Sequence, residues 1–334
     1  MNIPDIFFKS IVFNNFIRIE ASTLCQLRCP ACIQNNGETD MLGKGYLKFK
    51  DFKIFVEENP HFKNIELSNF GEMFLNPELR DIIKYAHKKK INLQADNGVN
   101  LNTVRKEILE CLVKYKFKLI RVSIDGASDE TYRIYRIGGD FNQVIKNIKI
   151  INQFKKKYNS EFPVLIWQFV IFGHNEHEIA KAKEMAHSLD MHFMTKLNWD
   201  LLYSPVRNKD LVRKITGFAS WMEHDEKTDG LYIDACTQFW TGPQINWDGK
   251  LLGCCVNHWG DFGNVFESGL KNCMKSEKYI YAKKMLLGKE ELREDIPCRH
   301  CFHYNDIRSK NYHPKLFSLL QRHFIKKVCV RWGI

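Results

Sequence analysis

The chain has no apolar run long enough to span a membrane, and its start, Met1 to Asn14, lacks the basic segment and long apolar stretch of a secretory signal. We therefore expect a soluble, cytoplasmic protein with no membrane partner. There is no internal repeat and no low-complexity linker, so a solenoid or a disordered tether is not the expected form. No nucleic-acid-binding motif is present either. The excess of 50 Lys and Arg over 39 Asp and Glu, a formal charge of +11, thus lacks a motif that would direct it at nucleic acid. The same charge would attract an anionic substrate or an acidic protein. Lys88–Lys90 and Lys155–Lys157 lie in helix-like stretches, where lysines form a solvated face.

What the sequence does have is a core and cysteines. At 334 residues and 44% hydrophobic content it can bury one large domain and a smaller one. Eleven cysteines are many for a reducing compartment, and an odd count argues against a complete disulfide set, so metal ligation is the expected use.

From residue 16 to about 198, short β-rich runs alternate with segments of helical period. The expected strands are Phe16–Glu20, Asn64–Ser68, Ile91–Ala95, Leu119–Ile124, Val164–Phe172 and His192–Lys196. Pro77–Lys88 reads as a helix with proline in its first turn, and Phe141–Lys157 as one with Val144, Ile148 and Ile151 on its buried face. The fold class is α/β: a partial, TIM-like (β/α)6 barrel, with ligand sites on the loops leaving the carboxyl ends of its strands. A small cysteine-rich module follows. The expected division is 1–215 for the barrel, 216–307 for the module, and 308–334 for a basic tail. Leu316, Leu319, Leu320 and Phe324 would let that tail dock on the protein as an amphipathic helix.

Just after the first strand stand Cys25, Cys29 and Cys32, at gaps of three and two residues. Thiolates so spaced on one loop can reach three corners of a four-iron cluster and leave one iron open for a chelating cosubstrate. The rival readings are ordinary buried cysteines, or a zinc site with no histidine nearby to complete it. The loop resembles the Cys-x-x-x-Cys-x-x-Cys hallmark of the radical S-adenosylmethionine (SAM) superfamily.

Asn69-Phe70-Gly71-Glu72 is similar to that family's Gly-Gly-Glu segment, with Phe70 in place of the first glycine. The resemblance implies that Gly71 and Glu72 bind the amino group of SAM. Ser123-Ile124-Asp125-Gly126, followed by Arg136 and Gly138-Gly139, is similar to the segment that holds ribose and carboxylate, which implies cosubstrate contacts at Ser123 and Arg136. A guanidinium can also grip a carboxylate with two parallel hydrogen bonds. Ala31 stands where the family often has an aromatic residue, so a contact to adenine there would come from backbone. The implied chemistry is one-electron reduction of the cluster by a donor such as flavodoxin or ferredoxin. Cleavage of SAM to a 5′-deoxyadenosyl radical would follow, and then removal of a substrate hydrogen.

Downstream come Cys236, Asp248-Gly249, Cys254-Cys255, Gly263-Asn264-Val265 and Cys298-Arg-His-Cys301. This arrangement resembles the SPASM/twitch extensions, which bind auxiliary clusters. It implies one auxiliary [4Fe-4S] cluster on Cys236, Cys254, Cys298 and Cys301, with four thiolates and no open iron. The glycine spacing favours Cys254 over Cys255, and a four-cysteine zinc site remains the alternative. Cys255 could then return a hydrogen atom to a substrate radical. Cys111, Cys273 and Cys329 read as packing residues.

His174-Asn175-Glu176-His177-Glu178 reads as a helix cap and capping box rather than a metal site. Among Trp199, Trp221, Trp240, Trp247 and Trp259, core packing is the default, with some walling a cavity. The function expected is oxidation of a small hydroxylated substrate such as a sugar or aminocyclitol. A peptide-modifying maturase, an epimerase and a metal-stabilised nucleic-acid-binding protein are the alternatives. The short stretch before the first strand, with no room for a peptide-recognition domain, favours the small substrate, although a separate partner protein could supply that function.

Overall fold

The computed structural model describes residues 15–35, 37, 40–228 and 233–332, with side chains described except at 40, 233 and 323–332. Phe324 and Cys329 therefore lie outside the described side chains. The sheet consists of β1 (Phe16–Ile19), β2 (Asn64–Glu66), β3 (Asn92–Val99), β4 (Leu119–Ser123), β5 (Val164–Ile171), β6 (His192–Leu197) and β7 (Gln244–Ile245). All seven strands are parallel, in the order β6-β5-β4-β3-β2-β1-β7. Each expected strand is present within a few residues of its expected ends.

The helices between them are α1 (Phe49–Glu58), α2 (Leu79–Lys88), α3 (Lys106–Lys114), α4 (Asp129–Tyr135), α5 (Phe141–Tyr158) and α6 (Ile179–Ser188). They pack in succession, α1 on α2, α2 on α3 and α3 on α5. The caps follow the sequence: Ser128 Oγ accepts from the Thr131 amide and the Asp140 side chain from the Gln143 amide.

Alternation along the strands divides the sheet into two faces. Ile17, Ile19, Ile65, Leu93, Ala95, Ile120, Val122, Leu165, Trp167 and Phe169 all belong to the main core. Several of the residues between them are polar and bonded across strands. Gln94 donates to Glu66 at 3.1 Å, the Arg121 guanidinium to Asp96 at 2.9 Å, and Gln168 to Ser123 at 3.3 Å. One face of the sheet thus holds the core, and the other lines a polar interior.

The seventh strand is a departure from the six expected. At two residues, β7 is too short to show a period, and it comes from the cysteine-rich part of the chain. It pairs with β1 as Arg18 with Gln244 and Ile19 with Ile245, and Arg18 Nη1 donates to the Gly242 carbonyl at 2.8 Å. Next to β7, Gly249 takes φ +91° in a turn that leaves no space for a Cβ against Phe266. The helix His313–Trp332 packs on the helix Ile233–Thr241, with Leu316 and Leu320 fully buried.

Candidate active site

The loop bearing Cys25, Cys29 and Cys32 leaves the carboxyl end of β1. It is tightened where the Cys32 amide donates to the Cys29 carbonyl at 3.1 Å and the Asn35 side chain to the same carbonyl at 3.0 Å. Cys29 is buried, Cys32 partly so, and Cys25 is the most open of the three. Glu20, at the end of β1, is fully buried and accepts from the Phe70 amide at 2.9 Å and the Gly71 amide at 3.4 Å. Burial pushes its carboxyl up to about 8.

This contact fastens the turn after β2 onto the cysteine loop. A Cβ on Gly71 would press on the Ser22 carbonyl oxygen and lie 2.6 Å from the Thr23 carbonyl carbon, so only glycine fits. The Glu72 amide donates to the Leu24 carbonyl at 2.7 Å. The Glu72 carboxylate accepts from the Asn100 amide at 2.6 Å, and the Asn100 side chain reaches Cys25 Sγ at 3.8 Å. Gly71 and Glu72 are thereby held against the cysteine loop.

Arg136 is partly buried, its side chain 14% exposed. Its Nε donates to Asp125 at 2.6 Å and its Nη1 to Cys29 Sγ at 3.6 Å. Asp125 is fully buried and also accepts from the Val170 amide at 2.7 Å. Much of the guanidinium is thus committed within the protein, and the atoms left over are those that could meet a cosubstrate. Ser123 stands at the end of β4, where its Oγ crowds Gly98, whose φ is +115°. Ala31 is packed in an apolar group with Leu27, Cys29, Tyr135, Val170 and Phe172.

The expected capping box at Asn175 is not formed. The buried Asn175 side chain accepts from the Phe172 amide at 2.7 Å and donates to the carbonyls of Asp125 and Val170. Glu178 accepts from the Ala127 amide at 2.6 Å and Ser128 Oγ at 2.8 Å. These side chains serve the loop that carries Asp125, a longer-range task than the local cap their spacing suggested.

In the second cysteine group, Cys236, Cys254, Cys298 and Cys301 are all buried. Burial pushes the Cys254 thiol up to about 12 and those of Cys236 and Cys298 well up. The field of Cys301 acts on each of these three. In the first loop, burial likewise raises the Cys29 thiol, against the opposing charge of Arg136. Free thiols so placed keep their protons; thiolates there require the positive charge that iron brings. No three His, Cys, Asp or Glu among the described residues converge on a single metal ion. Soft sulfur donors, three on the first loop and four in the second group, are chemically suited to four-iron clusters, whose ligands sit on separate irons.

Cys255 lies in the field of the same group, acting on Cys254, Cys236 and Cys301. Its amide donates to Gln238 Oε1 at 2.8 Å, and Gln238 Nε2 donates to its sulfur at 3.3 Å. Its carbonyl accepts from Asn69, in the turn after β2, at 2.9 Å. Cys255 lines a cavity of about 1500 Å³ that is also bordered by Ala31 and Ile33 of the first loop, Phe70, and Arg18 and Lys196 on the inner face of the sheet. Trp199, Trp221 and Trp259 wall it, whereas Trp240 is core. Glu20, Asp125, Asn100, Gln238 and Lys196 had not been singled out from sequence. Period-two alternation in β1 was the available signal for Glu20, whereas β6 shows no such alternation to mark Lys196.

Comparison with known proteins agrees with this geometry. The model of the Radical SAM superfamily matches residues 19–186, and that of the SPASM iron-sulfur cluster-binding domain matches residues 236–302. A GTP 3′,8-cyclase of Clostridium botulinum is 26% identical over 168 residues, covering 49% of this chain and 50% of its own. An AdoMet-dependent heme synthase of Methanosarcina barkeri is 28% identical over 173 residues, 51% of this chain and 46% of its own. The match thus spans about half the length of these relatives. The crystal structure of Streptococcus suis SuiB bound to S-adenosylmethionine superposes with a TM-score of 0.61 at 14% identity, over 87% of this chain and 71% of that one. The two matched domains imply SAM and two [4Fe-4S] clusters, and the cysteine groups suit them. The chain belongs to the radical SAM superfamily and carries its SPASM iron–sulfur domain.

Proposed function

We propose that this protein removes a hydrogen atom from a small hydroxylated substrate, such as a sugar or aminocyclitol, and oxidises it. Cys25, Cys29 and Cys32 would hold the SAM-binding cluster, and Cys236, Cys254, Cys298 and Cys301 the auxiliary one. When bound, the first cluster and SAM supply the 5′-deoxyadenosyl radical, with an electron from a donor of the flavodoxin or ferredoxin kind. The observation that carries the reading is the single cavity bordered by Ala31 of the first loop and by Cys255 beside the auxiliary ligands. A substrate there lies between the source of the radical and an acceptor for the second electron.

The residues of the chain have positioning tasks. Glu20 and Gly71 fix the turn after β2 on the cysteine loop, Glu72 and Ser123 face the cosubstrate, and Asp125 aims Arg136 beside Cys29. The test is anaerobic incubation with SAM, dithionite and candidate polyols. Oxidation lowers the substrate mass by two hydrogens and yields 5′-deoxyadenosine; deoxyadenosine without an oxidised product would refute the oxidase reading.

A second reading, epimerisation, is favoured by the Cys255 thiol lining the same cavity. In deuterated water an epimerised product would carry deuterium at the inverted carbon, because a thiol exchanges its hydrogen with solvent. A structure of SuiB bound to the precursor peptide SuiA keeps a peptide substrate in view as the third outcome.

A further inference from the structure

We infer that the substrate is anionic, and that a carboxylate or phosphate group of it is held in the cavity by Lys196, with Arg18 as the second cation. The inference rests on the reading above and narrows its substrate class. The inner face of the sheet carries Arg18 and Glu20 on and beside β1, Glu66 on β2, Asp96 on β3, Arg121 on β4 and Lys196 on β6. Three cations face three carboxylates, but they do not pair off.

Arg121 is bound to Asp96. Glu66 accepts from the Ser68 amide and hydroxyl, Gln94 and the Asp96 amide, which occupies its oxygens. Glu20 is occupied by the Phe70 and Gly71 amides, and its raised carboxyl is largely neutral near pH 7. Arg18 bonds the Gly242 carbonyl at 2.8 Å and stands over the ring of Phe16; its register partner Glu66 lies near enough for its field to act, but the two make no ion pair among the described residues. The Lys196 ammonium stands 5.0 Å over the ring of Trp199 and makes no ion pair among the described residues.

Lys196 also stands in the right place. Burial and the neighbouring Arg121 charge lower its pKa, and it also lies in the fields of Cys255, beside the auxiliary group, and of Asp125 and Arg136, beside the first cysteine loop. The carboxylates that reach the same cavity are on the segments beyond the strands. Asp200 accepts from the amides of Leu202 and Tyr203, Asp225 faces Lys310 at 3.9 Å, and Asp234 is open to solvent. The cavity is therefore bordered by two cations, Lys196 and Arg18, that make no ion pair among the described residues, although Asp125 lies near the first and Glu66 near the second. A cation held partly out of water without a counter-ion is a cost the fold would carry for a ligand that supplies one.

The test is anion protection in the reconstituted holoprotein with saturating SAM. Lys196 acetylation by brief acetic anhydride treatment is followed by peptide mass analysis, with benzoate, phenyl phosphate or the neutral benzamide present. We expect at least a fivefold slowing of Lys196 labelling by benzoate or by phenyl phosphate and none by benzamide. Whichever anion protects identifies the group. Titration of that anion into Lys196→Arg should retain binding, and Lys196→Met should lose it, as should Arg18→Gln in part. Equal protection by benzamide, no protection by either anion, or full protection by SAM alone would overturn the inference. Iron content and deoxyadenosine formation in the same preparation report separately on the radical SAM reading.

Discussion

Replacing Gly71 by alanine adds one methyl group where the turn after β2 meets the root of the cysteine loop. That carbon would sit 2.6 and 2.7 Å from backbone carbons of Thr23, against the ~3.5–4.0 Å of a relaxed carbon pair, and backbone cannot swing aside as a side chain can. The turn must withdraw by roughly 1 Å, an overpacking cost of about 1–3 kcal/mol. Withdrawal also strains the Glu20 bonds to the Phe70 and Gly71 amides and the Glu72 amide bond to Leu24. At about 1 kcal/mol for each of the three bonds, their loss brings the total to ~4–6 kcal/mol. The clash falls on Ser22 and Thr23, at the root of the loop that carries Cys25, while the turn's bond to the second group, from Asn69 to the Cys255 carbonyl, is made two residues away. The expected protein is folded but less stable, loses the first cluster and SAM binding, and keeps the auxiliary iron. Iron analysis, SAM titration and urea unfolding check this. A Gly71→Ala protein with unchanged urea midpoint, full iron and normal SAM affinity would refute the argument.

Glu20→Gln tests the buried carboxyl. Because its folded value of about 8 lies above the unfolded 4.5, its neutral form is favoured in the fold, and stability is lost as pH rises from about 5 through 8. Glu20→Gln should flatten this slope, the difference reaching on the order of 3–5 kcal/mol, read from denaturant midpoints across that range. Asp125→Asn leaves Arg136 partly buried without its counter-charge and should cost ~3–5 kcal/mol in urea unfolding together with weaker SAM binding. Removing Cys298 and Cys301 together should abolish oxidised product while leaving deoxyadenosine formation partly intact, as measured by chromatography of both products. Cys255→Ala should leave both clusters bound, and it should stall the reaction after hydrogen abstraction only if the reaction is an epimerisation.

The barrel was legible because six of its strands are long enough to alternate with helices of clear period. Cys25, Cys29 and Cys32 were legible because their spacing is local. β7 was not, since two residues show no period and its partner β1 lies more than 200 positions away. Asp125 was quoted as part of a motif, but its pairing with Arg136 depends on how α4 returns the chain to the strand end. Lys196 and Arg18 read as members of an overall basic composition. Only the folded sheet sets them on one inner face and gives Arg121 its ion pair while leaving these two without one among the described residues. Asn175 and Glu178 matched a local cap by spacing, yet tertiary contacts with the Asp125 loop took both side chains.

The central claim is that this chain generates a deoxyadenosyl radical at Cys25, Cys29 and Cys32. The most direct measurement is 5′-deoxyadenosine released from SAM under strict anaerobiosis with dithionite, comparing the reconstituted protein with its Cys25→Ala, Cys29→Ala, Cys32→Ala triple variant. The account predicts deoxyadenosine from the first, none from the second, and a loss of about four irons per chain in the variant with the auxiliary iron retained. Unchanged iron and unchanged SAM cleavage in the triple variant would contradict it.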